Sequence, residues 1–121
     1  MNTFFENIKQ GLVRILKAFV YSYNGFKVLL NEQAFKQELL LFMVLMPLSF
    51  MFDVSTASHA LMIFSLFLIL LAESVNTAIE VCIDRISTDI HPLSKAAKDI
   101  GSFMVLLAFI NAVVIWAAIL L

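Results

Sequence analysis

Glu73, Asn76, Glu80 and Asp84 follow one another at intervals of three and four residues in "AESVNTAIEVCIDR", residues 72–85. At about 100° per residue of α-helix, all four share an arc of about 80°. From Glu73 to Asp84 such a helix rises about 16 Å. The stripe is preceded by "ALMIFSLFLILLA", residues 60–72, which contains one hydroxyl and no charge. Its polar groups therefore run from aqueous surroundings at Asp84 down towards an apolar interior at Glu73. An acid at the centre of a bilayer costs about 2.5–3.5 kcal/mol on insertion scales, so such acids face a bundle interior and are retained for function. Helix–helix hydrogen bonding accounts for Asn76 as readily as function does. It accounts poorly for all four together, because small residues pack membrane helices without that cost.

The residue types point to phosphoryl transfer. Glu32, Glu80 and Asp84 fall near one membrane interface, and hard carboxylate oxygens suit Mg²⁺, which is held by one or two carboxylates with water and phosphates completing its shell. Lys98 and Asp99 open the last apolar segment on the same side, and Arg14 and Lys17 supply further cations. Acids for a metal and cations for phosphate are the parts that phosphoryl transfer requires. Glu73, set apart in the drier part of the stripe, suits a general base. The chain contains no P-loop, glycine-rich kinase loop or H-R-D motif, which together with its size excludes a soluble kinase. A rival of another class is a small proton-coupled transporter with Glu73 as its carrier acid. That reading accounts for one buried acid but not for the run of acids and bases at the interface.

These groups must be positioned by membrane helices. Apolar residues make up 62% of the 121-residue chain and charged residues 14%, against about 45–50% and about 25% in soluble domains. So small a chain has too little interior to bury that much apolar surface. The net charge of −1 implies no bulk attraction to nucleic acid. Cys82, the one cysteine, excludes an internal disulfide and a cysteine-rich metal site. The expected fold is an all-α membrane protein, a single domain over residues 1–121. Phe4, Phe5, Ile8, Leu12, Ile15, Leu16 and Phe19 lie at helical spacing among Glu6, Lys9, Arg14 and Lys17, predicting an amphipathic surface helix over 4–20. "YSYNG", 21–25, reads as a turn. Three spans follow, over about 34–52, 58–86 and 94–121, with Pro47 bending the first and Pro92 opening the third. Basic residues precede the first span and flank the second loop, but are absent from the 53–59 turn. The N-terminus and the 86–95 loop are therefore expected on the cytoplasmic side of the membrane and the C-terminus on the outer side. The N-terminal segment, "MNTFFENIKQ", carries charge before any apolar run and does not read as a cleavable signal. His59 and His91 fall in loops on opposite sides of the membrane and cannot share a metal.

"NEQAFKQE" at 31–38, "ESVNTAIEVCIDRIS" at 73–87 and "HPLSKAAKDIGS" at 91–102 closely resemble the prokaryotic diacylglycerol kinase family. The resemblance extends from "RILKAFVYS" at 14–22 to Trp116, with a specific pattern E-x-x-N-[ST]-A-I-E-x-x-x-D followed by K-D-x-[GA]. It implies a homotrimeric helical bundle of three-span subunits with composite active sites at the cytoplasmic interface. There, MgATP phosphorylates 1,2-diacylglycerol to phosphatidate. Glu73 is implied as the catalytic base. Glu32 and Glu80 are implied as Mg²⁺ ligands on the nucleotide. Lys98 and Asp99 are implied as nucleotide contacts, Lys98 also steadying the transferring phosphoryl group. Arg14, Tyr21 and the loop residues Asp89, Ile90 and His91 complete the nucleotide contacts. Asn76, counted with the catalytic residues, shapes the site, and Asp84 gives polar support. The lipid is implied to meet Arg14, Ser22, Phe35, Lys36, Gln37, Glu38, Ser102 and Trp116, as well as Glu73. Trp116 is also expected as an outer-interface anchor. The joint between Tyr21 and Glu32 is one residue shorter than in well-known members. "HPLSKAAKD" echoes a branch that prefers undecaprenol, whereas "NEQAFKQE" and "DRIS" follow the diacylglycerol-specific pattern.

Overall fold

A computed structural model describes residues 2–121. Four helices form in order: α1 Asn2–Leu29, α2 Gln33–Ser49, α3 Thr56–Ile86 and α4 Pro92–Leu120, with no strand among the described residues. The chain divides into two units, Met1–Glu32 and Gln33–Leu121.

The first unit is α1. It runs unbroken through Asn24 and Gly25, where the sequence signals a turn. Asn-Gly is a strong turn former only where the chain gains by reversing. Here Phe26, Lys27, Val28 and Leu29 carry the helix on for another turn, and Lys27 in that turn complements the helix dipole. Lys27 Nζ also sits 5.0 Å from the Tyr23 ring centroid, one turn back. The helix closes when the hydrogen bonds tighten, Asn31 N–H donating to Val28 O and Glu32 N–H to Leu29 O.

The second unit is built around α3, which packs against both α2 and α4. Ser55 caps α3 by accepting from Ser58 N–H at 3.1 Å, so the helix begins two residues before the expected Ser58. Along α3 the buried residues are Met62, Ser65, Leu66, Ile69, Ala72, Glu73, Asn76, Thr77 and Ile83. Their three- and four-residue spacing is one helical face. Phe64, Phe67, Leu71 and Val75 stay exposed on the remainder, as a lipid-facing surface requires. Ile69 and Ala72 pack with Ala108 and Ala112 of α4, bordered by Leu68, Met104, Val105 and Phe109. Alanines at the crossing let the two backbones approach, which is how membrane helices gain packing without a hydrophobic driving force. Across the other contact, the Phe42 and Phe67 rings meet edge to face at 4.7 Å.

α3 and α4 are each long and apolar enough to cross a bilayer. α2 has 17 residues, about 26 Å of rise against about 30 Å of hydrocarbon. It stops two residues after Pro47, which has no N–H to donate. The freed end is satisfied locally. Ser49 Oγ donates to Met46 O at 2.6 Å, and the His59 Nε2 atom of α3 hydrogen-bonds Ser49 O at 2.7 Å. The His59 ring stacks on Phe50, with centroids 5.4 Å apart. His59 thus joins the α2 terminus to α3.

Pro92 opens α4 at its first turn, and His91 caps it, Nδ1 accepting from Leu93 N–H at 3.1 Å. Near the other end, Trp116 Nε1–H donates to Ser65 Oγ at 3.1 Å and Met62 O at 3.3 Å. This indole N–H turns inward, where the buried Ser65 hydroxyl and the Met62 carbonyl, which also accepts from Ser65 Oγ, offer it acceptors. Trp116→Phe keeps the ring and removes the donor. It is expected to lower stability by about 1 kcal/mol, read as an earlier thermal midpoint of the detergent-solubilised protein.

Candidate functional site at the α2–α3–α4 contact

The stripe on α3 is graded as its helical spacing requires. Glu73 is 6% exposed and Asn76 8%. Glu80 is half-buried and Asp84 exposed. Each deep member meets a different neighbouring helix. Glu38 of α2, 9% exposed, brings its carboxyl into hydrogen-bonding contact with that of Glu73. Phe35 and Glu38 are buried one turn apart on α2, whereas Lys36 and Gln37 between them are exposed. Asn76 lies directly on Gly101 of α4, and a Cβ at Gly101 would run into Asn76 Oδ1. Two buried acceptors in this cluster, Glu38 Oε2 and Asn76 Oδ1, have no hydrogen-bond partner.

At the accessible end, Lys98 Nζ bonds Asp84 Oδ1 at 2.8 Å, joining α4 to α3, and is close enough to Glu80 to feel its charge. Lys95 pairs with Asp99 at 2.6 Å, one turn apart on α4. Both pairs are well exposed, so they contribute little to stability. A phosphate can therefore displace their carboxylates at small cost. Asp89, Ile90 and His91 form the exposed loop between α3 and α4, with Asp89 N–H donating to Ser87 Oγ at 3.0 Å. Among the described residues no group of three or more His, Cys, Asp or Glu side chains is arranged to hold a metal ion. A half-buried carboxylate beside a cation, as at Glu80, fits a Mg²⁺ that arrives with phosphates and keeps water ligands rather than one caged by protein.

Of the other residues marked by sequence, Arg14, Tyr21, Ser22 and Glu32 are exposed in the first unit, and Ser102 is exposed on α4. Trp116 bonds Ser65, eight residues before Glu73, or about 12 Å along the helix. It therefore lies at another depth. There it borders an apolar groove with Leu41, Leu45, Leu66, Ile69 and Phe109.

In the sequence Gly101 is the last position of the K-D-x-[GA] pattern, with no role attached to it; its contact with Asn76 is what the structure adds. The contact predicts opposite outcomes for two glycines. At Gly25 a Cβ meets nothing within 4 Å, so Gly25→Ala should raise helix stability by about 0.5–1 kcal/mol. Gly101→Ala must displace Asn76 and should destabilise the α3–α4 contact by about 1–3 kcal/mol, less that propensity gain. Paired thermal unfolding in one detergent reads both.

The family described as prokaryotic diacylglycerol kinase matches residues 20–120. A diacylglycerol kinase of Pseudomonas aeruginosa is 48% identical over 112 residues, covering 92% of this chain and 91% of the relative. One from Escherichia coli K12 is 39% identical over 115 residues, covering 94% of each. One from Haemophilus influenzae is 38% identical over 111 residues, covering 91% of this chain and 94% of the relative.

Proposed function

Because the chain belongs to the prokaryotic diacylglycerol kinase family, we propose that it uses MgATP to phosphorylate the free hydroxyl of 1,2-diacylglycerol to phosphatidate. At the coarser level the chain is a lipid kinase. The observation that carries the finer reading is the graded stripe on α3, from buried Glu73 to exposed Asp84. A kinase with one lipid and one water-soluble substrate has to join two depths, and this stripe does so on one rigid helix.

In the proposed mechanism Glu73 takes the proton of the lipid hydroxyl as that oxygen attacks the γ-phosphorus. The bond from phosphorus to the bridging oxygen breaks, and ADP leaves. Asn76 shapes the site between Glu73 and the nucleotide. Glu80, with Glu32, would hold Mg²⁺. A bound Mg²⁺ neutralises phosphate charge and orients the γ-phosphoryl group. Lys98 exchanges Asp84 for the transferring phosphoryl group, and Asp99 leaves Lys95 for the nucleotide. Arg14, Tyr21 and residues 89–91 complete the nucleotide contacts. The lipid is met by Arg14, Ser22, Phe35, Lys36, Gln37, Glu38 and Ser102. The apolar groove beside Trp116 offers an acyl chain a wall. α2 serves as a third span with α1 on the cytoplasmic surface, the C-terminus is periplasmic, and the active unit is a homotrimer with composite sites in the inner membrane.

In mixed micelles, Glu73→Gln should lower kcat by about a hundredfold or more. Full retained turnover would remove Glu73 as the base. Glu80→Gln should move half-saturation by Mg²⁺ roughly tenfold upward or more, and an unchanged titration would remove it as a ligand. Labelled ATP supplied with diacylglycerol and undecaprenol together should mark diacylglycerol. Label on undecaprenol would reassign the substrate. Proton flux into proteoliposomes without ATP would favour the transporter.

A further inference from the structure

We infer that Glu38 is a positioning residue for Glu73: its carboxyl donates a hydrogen bond across the α2–α3 contact and holds one Glu73 oxygen, leaving the other to receive the lipid proton. This rests on the proposed role of Glu73 as the base. The family resemblance implies only that Glu38 touches lipid.

Three observations support the assignment. Both carboxyls are buried, on different helices, and in contact. Two carboxylates offer acceptors alone, so a hydrogen bond between them requires one shared proton. Next, Glu38 is the polar side chain that the buried face of α2 delivers there, its neighbours Lys36 and Gln37 being exposed. Finally, the cluster does not satisfy itself, since Glu38 Oε2 and Asn76 Oδ1 lack partners. Buried polar groups that serve structure alone are almost always fully bonded. Unmet acceptors on both sides of Glu73 mark a polar site left open to an incoming group, and the lipid hydroxyl entering there delivers its one proton to Glu73. In the transfer step Glu38 keeps its own proton. The lipid O–H breaks, its proton passes to Glu73, the new O–P bond forms and ADP leaves.

The test uses the full chain in mixed micelles, with kcat and the KM for diacylglycerol measured separately. Glu38→Ala should lower kcat about ten- to a hundredfold while KM moves less than about threefold, the signature of an interaction that acts on the transition state. Glu38→Gln keeps an N–H donor of nearly the same shape and should recover most of that loss. A raised KM with unchanged kcat would make Glu38 a lipid contact only. Failure of Gln to recover turnover would remove hydrogen-bond donation. Infrared spectroscopy reads the pair without turnover. The wild type should show the C=O stretch of a hydrogen-bonded carboxylic acid, which Glu38→Gln loses and Glu73→Gln displaces. A wild type without that band, or a band that survives Glu38→Gln, overturns the proposal even if Glu73 is the base. Full activity of Glu73→Gln with the band behaving as stated would overturn the base reading and leave the contact standing.

Discussion

A carboxyl group held in the apolar part of a membrane helix is tolerated only where neighbouring protein meets it. Burial of Glu73 on the inward face of α3 sets that condition, and much of the bundle can be read from it. α2 has to arrive with Glu38 turned inward. α4 has to approach closely enough at Gly101 for Asn76 to lie on its backbone. The alanines at positions 72, 108 and 112 make that approach possible further along the contact. Polar groups in lipid are expensive singly, so their placement constrains helix crossing more sharply than apolar packing does.

The same helix divides its labour by depth. Near its start, Met62 and Ser65 anchor the Trp116 N–H, and Ser55 and His59 tie the turn to the end of α2. Around its middle, the contacts with Glu38 and Gly101 enclose Glu73 and Asn76. Towards its end, Glu80 and Asp84 emerge beside Lys98, and here the interactions are exposed and exchangeable. A rigid deep site and a loosely paired shallow one suit a reaction in which a lipid hydroxyl waits at fixed depth while a nucleotide comes and goes.

Sequence reasoning was strongest where information is local. The period of α3, the inward face of its stripe and the order of burial from Glu73 to Asp84 all follow from 3.6 residues per turn, and the structure has them so. The Pro92 start of α4 is equally local. Reasoning from type alone failed at Asn24-Gly25. The turn dipeptide there sits inside a helix that runs unbroken from Asn2 to Leu29, and glycine costs a helix only about 1 kcal/mol. Nor does local sequence carry any signal for the direction of the Trp116 indole N–H, which depends on acceptors 51 and 54 positions away.

By itself, then, the sequence determined an all-helical chain too apolar for water, with one helix bearing acids, an amide and nearby cations in an order that runs from wet to dry. Each of those features is set within a few turns of a single helix. Only the tertiary structure decided that Glu38 meets Glu73, that Gly101 seats Asn76 and that Lys98 rests on Asp84. These pairings join residues on different helices. They depend on crossing angle and axial offset between helices, which no periodicity within one helix encodes.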